Sequence, residues 1–125
     1  MIVLGILLMG ALGATARDFL DRQLGYRLAG KRFPLGIFGV NILGAFLLGL
    51  LVSIQIRNPA LEAQPIFFWA GFGFLGSFTT FSTWMWQSLE LLQERPSSLP
   101  SFLLYWLGMS VLGLLSLVVG IQLGL

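Results

Sequence analysis

Four stretches of the chain carry no Asp, Glu, Lys or Arg: Met1–Ala16, Phe33–Ile56, Ala63–Leu89 and Pro96–Leu125. A bilayer core of roughly 30 Å is crossed by about 20 apolar residues of helix. The last three stretches reach that length outright. The first reaches it once Phe19 and Leu20 are included, which sets Arg17 and Asp18 near a helix end. A soluble protein needs a polar surface, and these segments supply none. The pattern predicts an all-α membrane protein, one domain over residues 1–125, with four transmembrane helices at about 2–24, 34–56, 65–94 and 101–125. Pro34 suits the first turn of the second helix, where its missing N–H is no loss. "RNPALEAQP" (57–65) and "ERPSSLP" (94–100) read as short polar turns.

Within the third stretch, "GFGFLGSFTTFSTW" (71–84) is unlike the rest. Its first six letters fit G-x-G-x-x-G, but a dinucleotide site needs a preceding strand and a βαβ unit, and the context here is an uncharged membrane span. Three glycines within six residues, then Ser77 and a threonine pair, predict a helix interrupted near Gly73–Ser77. Most of the sixteen glycines suit close helix packing in lipid. Irregular backbone at membrane depth survives only where protein or a watery cavity covers it, and such breaks also build ion sites. Residues alone leave a site and a packing kink equally open.

Composition narrows the chemistry. The chain has neither cysteine nor histidine, which excludes disulfides, thiolate chemistry and the commonest transition-metal ligand. The pI near 9.7 rests on a net charge of +2, a property of the loops; nothing resembles a nucleic-acid-binding patch. Ala14-Thr15-Ala16 imitates a signal-peptidase site, but no basic residue precedes the apolar run, so the first helix is expected to remain.

Few polar side chains lie inside the spans. Asn41 is either an interhelical hydrogen bond or an amide donor to an anion. Phe78 and Phe81 share a face if the helix has resumed there; they are core packing or, through their positive ring edges, an anion lining. Thr79, Thr80, Ser82 and Thr83 add hydroxyls along the same stretch. Arg17 is an interfacial anchor or a vestibule charge that concentrates anions. No span has an Asp or Glu near its middle, which argues for passive conduction over proton-driven exchange.

Together these residues resemble the Fluc/CrcB fluoride channels. "FTTFSTW" after a glycine-rich segment looks like that family's signature. "GVNILGAFLLG" (39–49) is similar to its V-N-x-x-G-x-x-x-x-G motif, and "GALGATAR" (10–17) matches its G-x-x-G-x-x-x-R pattern. The resemblance implies a fluoride-selective passive channel that exports cytoplasmic fluoride across the inner (plasma) membrane. It implies an antiparallel dual-topology dimer in lipid, with two pores along the subunit interface. By the same resemblance Phe78 and Phe81 contact fluoride through ring edges, Asn41 donates its amide hydrogens, and Thr79, Thr80 and Tyr105 line the pore. Gly73 and Gly76 offer backbone carbonyls to a central structural Na⁺, and Arg17 faces a vestibule.

Two features depart from this pattern. "GIFGVN" carries Ile37 where the family often has a hydroxyl, so one polar step of the pore is expected to be missing. Arg17, Arg22, Arg27, Lys31, Arg32 and Arg95 fall on one side of the predicted topology and only Arg57 on the other. That is a positive-inside bias, whereas a dual-topology homodimer should show little. Homodimer and heterodimer with an oppositely biased paralogue both stay open. The rivals are a small-multidrug-type dimeric exporter, which needs a carboxylate that Met1–Ala16 lacks, and a non-conducting accessory subunit.

Overall fold

The computed structural model describes residues 1–27, 33–61, 63–93 and 98–125. Lys31, Arg32 and Arg95 of the charge count, and Glu94 at the expected end of the third helix, lie outside them. Among the described residues every regular element is helical. Helix α1 covers Ile2–Arg27 and α2 covers Leu35–Arg57, followed by a 3₁₀ turn at Pro59–Leu61. The third span is composite. It runs as α3 (Pro65–Phe68), a π-helical stretch (Trp69–Leu75), one turn α4 (Gly76–Phe78), a two-residue gap, then α5 (Phe81–Gln93). Helix α6 (Ser98–Gly124) closes the bundle.

Three continuous segments are long and apolar enough to cross a membrane: Ile2–Gly25, Leu35–Arg57 and Leu99–Gly124. Their large side chains are mostly exposed, among them Leu4, Leu7 and Leu8 on α1 and Leu104, Leu114 and Leu115 on α6. An apolar surface this extensive suits lipid, not water. The chain is therefore an all-α membrane protein.

Helices α2 and α6 form the closest pair. A side chain at Gly49 would meet the Leu117 carbonyl and stand 3.1 Å from the Gly120 Cα; one at Gly120 would meet the Phe46 carbonyl. Only hydrogen fits at this crossing, the usual device for helix association in lipid. The Ser116 hydroxyl adds a hydrogen bond of 2.9 Å to the Ile42 carbonyl. Elsewhere on α6, Tyr105 and Met109 pack with Leu91 of α5 and with Phe33, Phe38 and Trp84. On the other side α1 supports the π-helical stretch, and the Trp69 indole donates to the Ile2 carbonyl at 3.1 Å.

The interruption of the third span falls at Thr79–Thr80, not at Gly73–Ser77 as expected. Gly71 and Gly73 lie inside the π-helical stretch, and the Gly76 N–H is shared among the carbonyls of Gly71, Gly73 and Phe74. Glycine in a helix costs only about 1 kcal/mol relative to alanine. An unpaired backbone group in lipid costs several times more. The glycines therefore loosen the ladder without opening it.

Candidate functional site

Each residue of the threonine pair ends one helix or starts the other. Thr79 is the last to donate into α4: its N–H and its Oγ1–H both reach the Leu75 carbonyl, at 3.1 and 2.9 Å. Its backbone then turns extended, at φ −80° and ψ 156°. Thr80 caps α5, accepting the Thr83 N–H on its own hydroxyl at 3.3 Å, and donates that hydroxyl to Thr83 Oγ1 at 3.1 Å. The Thr80 backbone belongs to neither helix, and Asn41 takes it. The Asn41 Oδ1 accepts the Thr80 N–H at 2.8 Å, while its Nδ2 donates to the Thr80 carbonyl at 2.9 Å. A side-chain amide thus replaces the peptide partners that the helix gave up. The orientation of the amide follows from this pairing, because an N–H only donates.

Around this junction lies a groove of about 370 Å³, open along one side. Asn41, Gly44, Thr79, Thr80, Phe81 and Trp84 form its functional wall, with Met109 and Gly113 of α6 opposite. Gly44 lets the break approach α2, since a Cβ there would meet the Thr79 methyl and stand 3.3 Å from Phe78 Cδ1. Among the described residues no charged side chain lines the groove. Its wall combines the Asn41 amide, the N-terminal end of α5 with its positive dipole, and the aromatic rings of Phe81 and Trp84.

Several expected site residues fall elsewhere in the single chain. Phe78 is only 2% exposed and stacks on Phe74, with centroids 5.6 Å apart and planes at 12°. It is absent from the groove wall, whereas Phe81 is 69% exposed and belongs to it. The break separates the two rings, so they do not form one helical face. The ring that does pair with Phe81 is Trp84, edge to face at 5.5 Å and 84°. Trp84 went unnoticed in the sequence, although it follows Phe81 at the same i,i+3 spacing. Thr79 and Thr80 do line the groove, yet both hydroxyl hydrogens are committed within the junction.

Tyr105 is fully buried, with Phe33 edge-on at 5.1 Å, and its hydroxyl donates to Gln87 Oε1 at 2.8 Å. It lies outside the groove wall, and Gln87 is a second partner that the sequence reading passed over. Ile37 is buried at 3% and also lies outside the wall. Arg17 stands on α1, four residues before Asp21, away from the groove.

The two glycines expected to meet a cation differ. Gly73 is buried against α1, where a Cβ would lie 3.0 Å from both the Ile6 carbonyl oxygen and Met9 Cβ. Its carbonyl already shares the Gly76 N–H. Gly76 begins the last turn before the break, where carbonyls lose their intrahelical partners, and only its own chain's Gly71 carbonyl lies near its Cβ position, at 3.6 Å. The two glycines thus stand in different surroundings, Gly73 packed against α1 and Gly76 exposed at the start of the last turn before the break.

Fold and groove together define a small polytopic helical membrane protein with a discontinuous third span. Residues 4–121 match the family model described as CrcB-like protein, Camphor Resistance (CrcB). The chain is 41% identical over 92 residues to the fluoride-specific ion channel FluC of Geobacter sulfurreducens (strain ATCC 51573 / DSM 12127 / PCA), covering 74% of this chain and 73% of that one. It is 40% identical over 92 residues to fluoride-specific ion channel FluC 2 of Mycobacterium tuberculosis (strain ATCC 25618 / H37Rv), covering 74% and 68%. The chain belongs to the CrcB family, a family of ion channels and not of enzymes.

Proposed function

We propose that this chain is a fluoride-selective passive channel that exports cytoplasmic fluoride across the inner (plasma) membrane. The observation that carries the reading is the groove at the broken span. There the Asn41 amide, the N-terminal end of α5 and the rings of Phe81 and Trp84 converge with no fixed positive charge. A small, strongly hydrated anion needs short, directed donors in place of water, and conduction needs them weak enough to release it. Ring edges and amide hydrogens meet both needs, where Arg or Lys would hold the ion. The relatives' names point to the same ion.

In this reading the aromatic pair is Phe81 with Trp84, not Phe78 with Phe81. Phe78 supports the junction from behind. Thr79 and Thr80 shape the groove, Tyr105 braces α6 against α5 through Gln87, and Arg17 draws anions toward a vestibule. The groove is open on one side, and Phe72 (73% exposed) and Phe81 stand uncovered, which suits a second subunit packed antiparallel with two pores along the interface. A Na⁺ at the centre of that dimer would supply a positive charge that pins the two α4 ends, and Gly76 is the glycine whose carbonyl fits it. The absence of any carboxylate from the groove wall disfavours a proton-coupled exporter.

A second reading concerns the partner. Six basic residues on one side against Arg57 on the other favour one insertion orientation, and hence pairing with an oppositely biased subunit. One experiment addresses both. The purified chain alone is reconstituted into KF-loaded and KCl-loaded liposomes, and valinomycin-triggered efflux is followed by ion electrode. Rapid fluoride efflux without chloride efflux supports a self-sufficient fluoride channel. Silence that a co-expressed, oppositely charged relative relieves supports the heterodimer, and silence in both settings leaves only an accessory subunit.

A further inference from the structure

The Trp84 indole forms part of the groove wall, and its Nε1–H is buried with no hydrogen-bond partner. Among the described residues it is the one buried side-chain nitrogen or oxygen in that state. The contrast with its neighbours is sharp. Trp69 donates to the Ile2 carbonyl at 3.1 Å and Trp86 to Glu90 Oε1 at 2.9 Å. A buried donor without an acceptor bears its full desolvation penalty. Nor is the ring free to turn away, because it stands edge to face on Phe81 and stacks on Trp106 with centroids 6.2 Å apart. Phenylalanine at this position would fill much of the same space and carry no penalty. An orphaned donor in a native structure calls for an explanation, and an acceptor that passes through the groove is one.

Chemistry indicates what that acceptor is. Among the described residues the groove wall holds no charged side chain, and the Thr80 carbonyl and the Thr79 and Thr80 hydroxyl hydrogens are engaged within the junction. Asn41 has one amide hydrogen on the Thr80 carbonyl and a second without a partner among the described residues. Trp84 lies one turn into α5, at the positive end of its dipole. We propose that the Trp84 Nε1–H donates directly to the anion in the groove, as a second N–H donor beside Asn41. This inference rests on the fluoride reading above. It assigns to an indole N–H a part that a ring edge alone would otherwise play.

The test uses full-length protein in nanodiscs, labelled with ¹⁵N at tryptophan and threonine and titrated with NaF against NaCl at equal ionic strength. Trp84→Phe identifies the Trp84 indole signal, and the Thr80 amide reports on the groove independently. The expected result is a saturable downfield shift of the Trp84 indole proton with fluoride and none with chloride, while the Trp69 and Trp86 signals stay fixed. Fluoride efflux through Trp84→Phe should fall roughly tenfold or more, as expected for losing one hydrogen bond to a charged group. If the Thr80 amide responds to fluoride and the Trp84 indole does not, the donor role is overturned and the fluoride reading stands. If neither responds and the wild type passes no fluoride, the fluoride reading fails and takes this inference with it. An equal shift with chloride would overturn the assignment of the indole to a fluoride-selective step.

Discussion

Two neighbouring pieces of the third span, residues 71–76 and residues 79–80, invert the usual expectation about helix breakers. The first holds three glycines and stays helical, as a π-stretch passing into an α-turn. The second has no glycine, and there the helix stops. The difference is one of partners. In lipid a backbone group that leaves its helix must find another, and conformational freedom does not supply one. Thr80 has the Asn41 amide within 3 Å on both of its backbone groups, whereas the Gly71 and Gly73 carbonyls keep a partner in their own helix, the Gly76 N–H. In this span the helix breaks where a substitute partner waits.

The contrast can be broken most severely at Asn41. Asn41→Leu strands the N–H and the carbonyl of Thr80, at about 1–3 kcal/mol for each orphaned group. Unfolding in detergent should show a loss of about 2–6 kcal/mol, the largest of any single change in the groove. Gly44→Val comes next, because its branched side chain meets the Thr79 methyl and Phe78. Overpacking of this kind costs about 1–3 kcal/mol and should displace the junction enough to abolish fluoride efflux. Thr80→Val removes the cap of α5 while keeping the branched shape, so stability should fall by about 1 kcal/mol and Thr80→Ser should restore it.

The smaller effects sharpen the comparison from its other side. Tyr105→Phe leaves Gln87 without its donor, lowering stability by about 1 kcal/mol. Efflux should be unchanged, and a large fall would return Tyr105 to the pore. Gly71→Ala should shift stability by less than about 1 kcal/mol, because only the flexible end of Leu51 lies near, at 3.3 Å. A glycine segment that merely continues a helix should tolerate this substitution with efflux intact.

Three of the four expected spans reappear as continuous helices of bilayer length, because long uncharged apolar runs favour helix in lipid. Pro34 stands one residue outside the first turn expected for it, as the N-cap of a helix that begins at Leu35. The position of the break was not legible, because it depends on a residue 39 positions away. Glycines advertise flexibility locally, while a waiting amide is visible only once the chain has folded. The aromatic pair failed for the same reason. Phe78–Phe81 and Phe81–Trp84 have equal spacing, and only the location of the gap decides which pair shares a helix. Asn41 itself stood out as a lone amide between Val40 and Ile42. The structural half of its dual reading is visible in the hydrogen bond to the Thr80 carbonyl. Gln87 stayed hidden because an uncharged polar residue near a span's end carries no signal until Tyr105 is placed against it.

The most direct measurement is the initial rate of fluoride efflux from liposomes containing Asn41→Asp, beside wild type, with both proteins shown to be folded and equally oligomeric. Aspartate keeps an acceptor for the Thr80 N–H but cannot donate to the Thr80 carbonyl or to an ion, and it sets a like charge in the anion's path. The account predicts that efflux is abolished. Wild-type efflux through Asn41→Asp would show that neither the amide-held break nor its free hydrogen is needed, and would contradict it.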